Sequence, residues 1–243
     1  MDTSGAINGL STRPLYLQVR DALAARIAKG EWKPGKPIPN ELELAREYEV
    51  STGTIRKALD VIEGERLITR QQGRGTFVND QMSEELATRF SAIHDADGTR
   101  IAGQVELGEV TEGDAGELEC ARLRLQAQDK VFRVRCTRLH QNRPFMVEEA
   151  SMPARLFPRL TEINGFPHFI VALAQRHGIL VGKAQERISV GPAGPAVAEA
   201  LRIPPSSPIL MLDRVLLNLD GAPIEWRVGQ CNLTAQYYLA DIR

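Results

Sequence analysis

Cysteine is scarce in this chain, only 3 in 243 residues. Cys120, Cys136 and Cys231 are far apart, with no CxxC pair or Cys/His cluster, which argues against a disulfide framework or a zinc finger. The 4 histidines, His94, His140, His168 and His177, are scattered and none stands in a recognisable catalytic spacing with Ser, Cys or Asp. Neither catalysis, a metal site nor a cofactor is expected. Charge of one sign is missing as well: 30 Lys and Arg face 31 Asp and Glu, a net of −1. That rules out a polycation coating nucleic acid without preference, so any DNA contact must be local. No apolar run approaches the roughly 20 residues of a membrane span, and the opening MDTSGAINGLSTRP has neither a basic n-region nor an apolar h-region. A cytoplasmic protein without membrane contact is expected, with enough chain for two ordinary cores.

What is present is densest near the start. Residues 11–80 carry 12 Lys and Arg against 10 Asp and Glu, and no acid falls within 67–79, where Arg70 and Arg74 lie. Apolar residues at Leu15, Val19, Leu23 and Ile27 recur at helical spacing from Pro14 to a stop at Gly30. Pro34, Pro37 and Pro39 then impose an extended connector. Asn40 suits the N-cap of a second helix, with Glu41 and Glu43 in its first turn and Leu42, Leu44, Ala45 and Tyr48 on its buried side. After a short turn, Ser51 opens a third helix whose inner face is Ile55, Ala58, Leu59 and Ile62. Two short helices joined by a tight turn make a helix-turn-helix. Two strands follow, at 67–70 and 76–78, around QQGRG, where Gly73 and Gly75 permit a tight turn.

A helix entering the major groove end-on presents its first turn to phosphates and base edges. Ser51, Thr52 and Thr54 suit phosphate hydrogen bonds, Arg56 reaches a guanine, and Lys57 touches phosphate. Arg70, Gly73 and Arg74 form the contact of the wing, with Arg74 at its tip directed to the minor groove. The bland reading of Arg56 and Arg74 is that of solvated surface charges.

From 80 to 98 the chain is polar and reads as a linker with no strand pattern; a second domain spans 99–243. There, strands at 100–111, 130–140, 145–151, 182–190, 209–219 and 222–232 alternate with short helices at 116–125, 169–177 and 195–201. The economical architecture is α+β, with a mixed, mainly antiparallel sheet.

Two resemblances now attach to quoted residues. PLYLQV, KGEWKPGKPIPNELELA, VSTGTIRKAL and QGRGTFV resemble the winged helix-turn-helix of the GntR family of bacterial transcription regulators, over 11–79. Members often have Arg where this chain has Thr52, and Ser-Glu where it has Asn40-Glu41, so base reading shifts toward Arg56. RCTRLHQNRPFMVEEASMP, RHGI and PSSPILMLDRVLLNLDGAPIEW are similar to the UTRA effector domain of the HutC-type subfamily, whose fold is chorismate-lyase-like. The resemblance implies a repressor that binds double-stranded operator DNA as a homodimer and answers to a small-molecule effector. It places effector contacts at Arg138, Glu148, His168, Glu225 and Tyr237. The family pattern sets two arginines in the strand at 135–139; here Cys136 replaces the first and Arg138 keeps the second, which favours a carboxylate or a more neutral ligand over a phosphosugar. Three alternatives stand beside these assignments. Arg138 and Glu148 pair with each other across the sheet; the second domain only dimerises; or it retains a lyase-like activity.

Overall fold

The computed structural model describes residues 13–80, 89–101, 103–160 and 170–240. The chain divides into two compact units, Met1–Ser83 and Glu84–Arg243.

In the first unit, α1 (Leu15–Ala28) buries Val19, Leu23, Ala24 and Ile27. Leu15, expected on that stripe, is exposed. Arg20 is buried instead, its Nε 3.0 Å and 3.1 Å from the two carboxylate oxygens of Glu65 and its Nη1 2.7 Å from Asp21. That clamp ties α1 to the far end of α3. Asn40 caps α2 (Glu41–Glu47) in a full capping box: its side chain accepts from the Leu42 and Glu43 amides at 3.0 Å, and Glu43 accepts from the Asn40 amide at 2.8 Å. Leu42, expected inside, is exposed because the short helix turns only Leu44 and Ala45 inward. Asn40→Ala should cost the first unit about 1 kcal/mol while Asn40→Ser leaves it nearly unchanged, read from the urea midpoints of its unfolding.

Ser51 then caps α3 (Thr52–Gly64), which is seated by Ile55, Ala58, Leu59 and Ile62, as its period predicts. Strands β1 (Ile68–Gln71) and β2 (Gly75–Val78) pair antiparallel. Gly73 at φ +72° and Gly75 at φ +114° supply the left-handed backbone the turn requires. The proline-rich connector adds a short third edge, with the Ile38 amide donating to the Thr76 carbonyl at 2.8 Å.

The second unit is built on a six-stranded antiparallel sheet in the order β4-β5-β6-β9-β8-β7. Its strands are β4 (Gln104–Asp114), β5 (Lys130–His140), β6 (Arg143–Pro153), β7 (Val181–Pro192), β8 (Pro208–Asn218) and β9 (Pro223–Cys231). Helices α4 (Glu117–Leu123) and α6 (Pro195–Leu201) cover one face through clusters that include Trp226 and Val147. Helix α5 (Ile170–Arg176) covers the other, where Phe132, Val134, Met152, Leu216 and Ile224 meet Val171 and Leu173.

The α+β class and the antiparallel sheet are as expected; the linker is not. Within 80–98 lies β3 (Ile93–His94), paired with β10 (Tyr237–Tyr238), and Ile93 and His94 are buried. The Ser91 hydroxyl donates to the Ile101 carbonyl at 2.8 Å. The residues from Arg89 onward therefore pack as part of the second unit, which a polar, two-residue strand does not advertise in sequence.

Candidate DNA interface and effector pocket

The capped start of α3 is exposed, and its hydroxyls are committed in part. Ser51 Oγ accepts from the Thr54 amide at 3.1 Å and lies 2.9 Å from Thr54 Oγ1. Since one hydroxyl donates to the other, the pair retains a single O–H for a phosphate. Thr52 and Lys57 are exposed beside it. Arg56 projects outward, its side chain 66% exposed, and its guanidinium meets Glu41 of α2 at 2.9 Å. Glu41, which the sequence places only in the first turn of α2, is thus the ion-pair partner of Arg56.

Arg70 is engaged within the unit. Its Nη1 sits 2.6 Å from Asp60 and 3.0 Å from Glu63, and its Nη2 donates to the Arg56 carbonyl at 3.3 Å, so it braces the wing against α3. Arg74 and Gly73 occupy the exposed turn.

In the second unit, alternation along five strands aligns ionised side chains across one face of the sheet. Glu148 on β6 is the hub. Its Oε1 accepts from Arg138 Nε at 2.9 Å and from Cys136 Sγ at 3.1 Å, and its Oε2 from Arg227 Nη1 at 2.7 Å. Burial pushes this carboxyl up, but Arg138 and Arg227 outweigh burial and hold it well below the usual carboxylate range. Further along the row Arg214 and Glu225, both buried, meet at 3.3 Å. Burial, with Arg227 adding repulsion, pushes Arg214 down to about 10. Glu186 on β7 accepts from the Tyr238 hydroxyl at 2.5 Å.

Beside this row lies a small cavity of about 40 Å³, with Arg138, Glu148 and Glu225 among its walls and Val105, Val134 and Ile170 supplying apolar surface. Of the expected effector residues, the structure brings Arg138, Glu148 and Glu225 together. Tyr237 is not with them: it is 40% exposed and stacks on His94 at 5.7 Å. One step along a strand reverses the face, so Tyr238 reaches the charged row instead. His168 lies outside the described residues. Cys136 is buried, and burial followed by Glu148 pushes its thiol far up. The cross-strand alternative for Arg138 and Glu148 is realised, since the two are directly bonded.

Residues 15–78 match the bacterial regulatory proteins of the gntR family, and residues 101–235 match the UTRA domain. The chain belongs to the GntR family. It is 30% identical over 212 residues to the mannosyl-D-glycerate transport/metabolism system repressor MngR of Escherichia coli, covering 82% of this chain and 83% of that one. To the HTH-type transcriptional repressor NagR of Bacillus subtilis it is 26% identical over 226 residues, 90% of each. Its fold is shared with PhnF from Mycobacterium smegmatis, at a TM-score of 0.56, 21% identity and coverage of 93% and 99%. YydK from Bacillus subtilis gives a TM-score of 0.54 at 18% identity, covering 95% and 100%.

This GntR-family protein is thus a DNA-binding transcriptional regulator with a small-molecule effector domain, and not an enzyme. Among its described residues no helix is long and apolar enough to cross a membrane. Arg214 and Arg227 escaped the sequence reading of the regulator's pocket. The available signal was alternation: Arg214 sits two residues from Leu212 and from Leu216, both buried on one face of β8.

Proposed function

We propose that this regulator represses its target genes as a cytoplasmic homodimer, each subunit reading half of a near-palindrome through Arg56. Thr52, the Ser51–Thr54 hydroxyl pair and Lys57 grip phosphates, and Gly73 and Arg74 bring the wing tip to the minor groove. Arg70 contributes by fixing the wing to α3. The effector is a small carboxylate carrying an amino or hydroxyl group. The observation that carries this is the cavity wall, where the Arg138 guanidinium, already paired with Glu148, and the Glu225 carboxylate line one space, so that a ligand carboxylate competes with Glu148 for Arg138 while Glu225 accepts from a donor. His168 and Tyr237 are retained as secondary contacts. Glu148 acts through the arginines, because both of its oxygens are already engaged. Balanced charge along the row, Arg138, Arg214 and Arg227 against Glu148, Glu186 and Glu225, disfavours a multiply charged phosphosugar. MngR, named for mannosyl-D-glycerate, supports an acid of this class. The cavity has to widen to admit it, and Ile170 is the wall contributed by α5, the helix that covers this face.

Two measurements test the proposal. Binding to DNA flanking its own gene should be salt-sensitive and exceed non-specific affinity by roughly 10³-fold or more. A thermal-shift series with amino acids, sugar acids, phosphosugars and aromatic acids should single out one acid, which at 100 times its dissociation constant adds about 2.7 kcal/mol. A phosphosugar as the best ligand would overturn the effector class, and no shift with any of them would favour a domain that only dimerises.

A further inference from the structure

Arg89 and Phe90 open the described course of the second unit, and the covalent chain running back from them leads to the DNA-binding unit. Three contacts mount this entry segment on the sheet. Arg89 Nη2 donates to the Val181 carbonyl at 2.7 Å. Arg214 Nη1 donates to the Phe90 carbonyl at 2.9 Å. Through β10, whose Tyr238 pairs with Ile93 and which is followed by Leu239, its amide donating to the Ala92 carbonyl at 2.8 Å, the segment also reaches Glu186 by the Tyr238 hydroxyl. Two of the three contacts therefore end on the ionised row beside the effector cavity.

Arg214 occupies the critical place. In register it lies between Glu186 on β7 and Arg227 on β9, so one immediate cross-strand neighbour carries like charge. The carboxylate it bonds is Glu225, at 3.3 Å, and Glu225 is also a wall of the cavity. Its buried Nε has no hydrogen-bond partner among the described residues. A guanidinium with one N–H unsatisfied, a like charge alongside and a long bond to a carboxylate is held by a narrow margin.

We propose that Arg214 is the positioning residue that couples the effector pocket to the DNA-binding unit, by gripping the wall carboxylate Glu225 with one nitrogen and the Phe90 carbonyl with the other. This deepens the reading of the cavity as the effector site and rests on it. A ligand amino or hydroxyl group that donates to Glu225 draws this carboxylate toward the cavity. Arg214, left facing Arg227, then shifts, and the Phe90 carbonyl loses its donor. The displacement passes along the backbone of the entry segment toward the DNA-binding unit, without requiring the ligand to touch either Phe90 or DNA.

The test uses the full-length protein without any small molecule. Arg214→Lys keeps the charge, but one ammonium cannot span both acceptors in the guanidinium's fixed fork. Glu225→Gln keeps the shape and removes the charge that steadies Arg214. Hydrogen exchange of the peptide covering 89–98 should accelerate about tenfold in Arg214→Lys and about threefold in Glu225→Gln, while β5 and β6 stay within about twofold of wild type. Affinity for DNA flanking its own gene should change in the same direction for both variants. Unchanged exchange at 89–98, or equal acceleration throughout the second unit, overturns the coupling. If Arg214→Lys fails to fold, a folded Glu225→Gln with wild-type exchange at 89–98 overturns it by itself. Failure of the effector reading looks different: the exchange effects persist while no acid in the thermal-shift series moves the melting temperature.

Discussion

Arg56→Ala is expected to cost about 5- to 150-fold in operator affinity per half-site, the range for one bidentate guanine contact, and therefore about 25-fold or more for a dimer on two half-sites. Non-specific affinity should fall far less, because phosphate contacts by Lys57 and the hydroxyl pair survive. The ratio of specific to non-specific binding is the decisive readout, with circular dichroism and dimer mass unchanged, since Arg56 is outside the core. Glu41 makes the prediction two-sided. In the free protein its carboxylate holds the Arg56 guanidinium at 2.9 Å, an anion placed beside the residue proposed to read the base. Glu41→Ala should raise affinity for arbitrary DNA and so lower the same ratio, by a route opposite to that of Arg56→Ala. An unaltered ratio in Arg56→Ala would show that base reading resides elsewhere on α3, at Thr52 or in the wing.

The recognition helix was legible because local signals agree there: Ser51 caps, the 3.6-residue period buries Ile55, Ala58, Leu59 and Ile62, and Gly73 and Gly75 close the wing. The large strands were legible through alternation, with ends displaced by a few residues where pairing extends beyond the apolar run, as in β4 and β6. Long-range pairing was illegible. Nothing local in Ile93–His94 says that it joins Tyr237–Tyr238, and without that pairing the sequence does not distinguish Tyr237 from Tyr238, which lies one residue along and on the face of the charged row. Charge partners were hidden for the same reason. Arg70 looked free because the acids that hold it, Asp60 and Glu63, lie on α3. The guanidinium missing at Cys136 is answered from β9, where Arg227 meets Glu148 from 79 residues away.

That hub carries the second large effect. Glu148→Gln should destabilise the second unit by about 3–5 kcal/mol, because it leaves Arg138 and Arg227, with side chains 11% and 9% exposed, around a neutral amide. Shape is conserved, so the loss reports charge and not a cavity. The sign with pH follows from the depressed carboxyl. Its folded value lies below the unfolded reference of 4.5, so its contribution is complete above that reference and is withdrawn as pH falls toward the folded value. Over that interval each pH unit removes up to about 1.4 kcal/mol. Urea unfolding of the second unit, followed through Trp226 in a Trp32→Phe background, should show wild type and variant converging as pH falls from about 5 to about 3. Parallel curves would mean that Arg138 and Arg227 draw no net stabilisation from Glu148, and that its placement serves the geometry of the pocket instead.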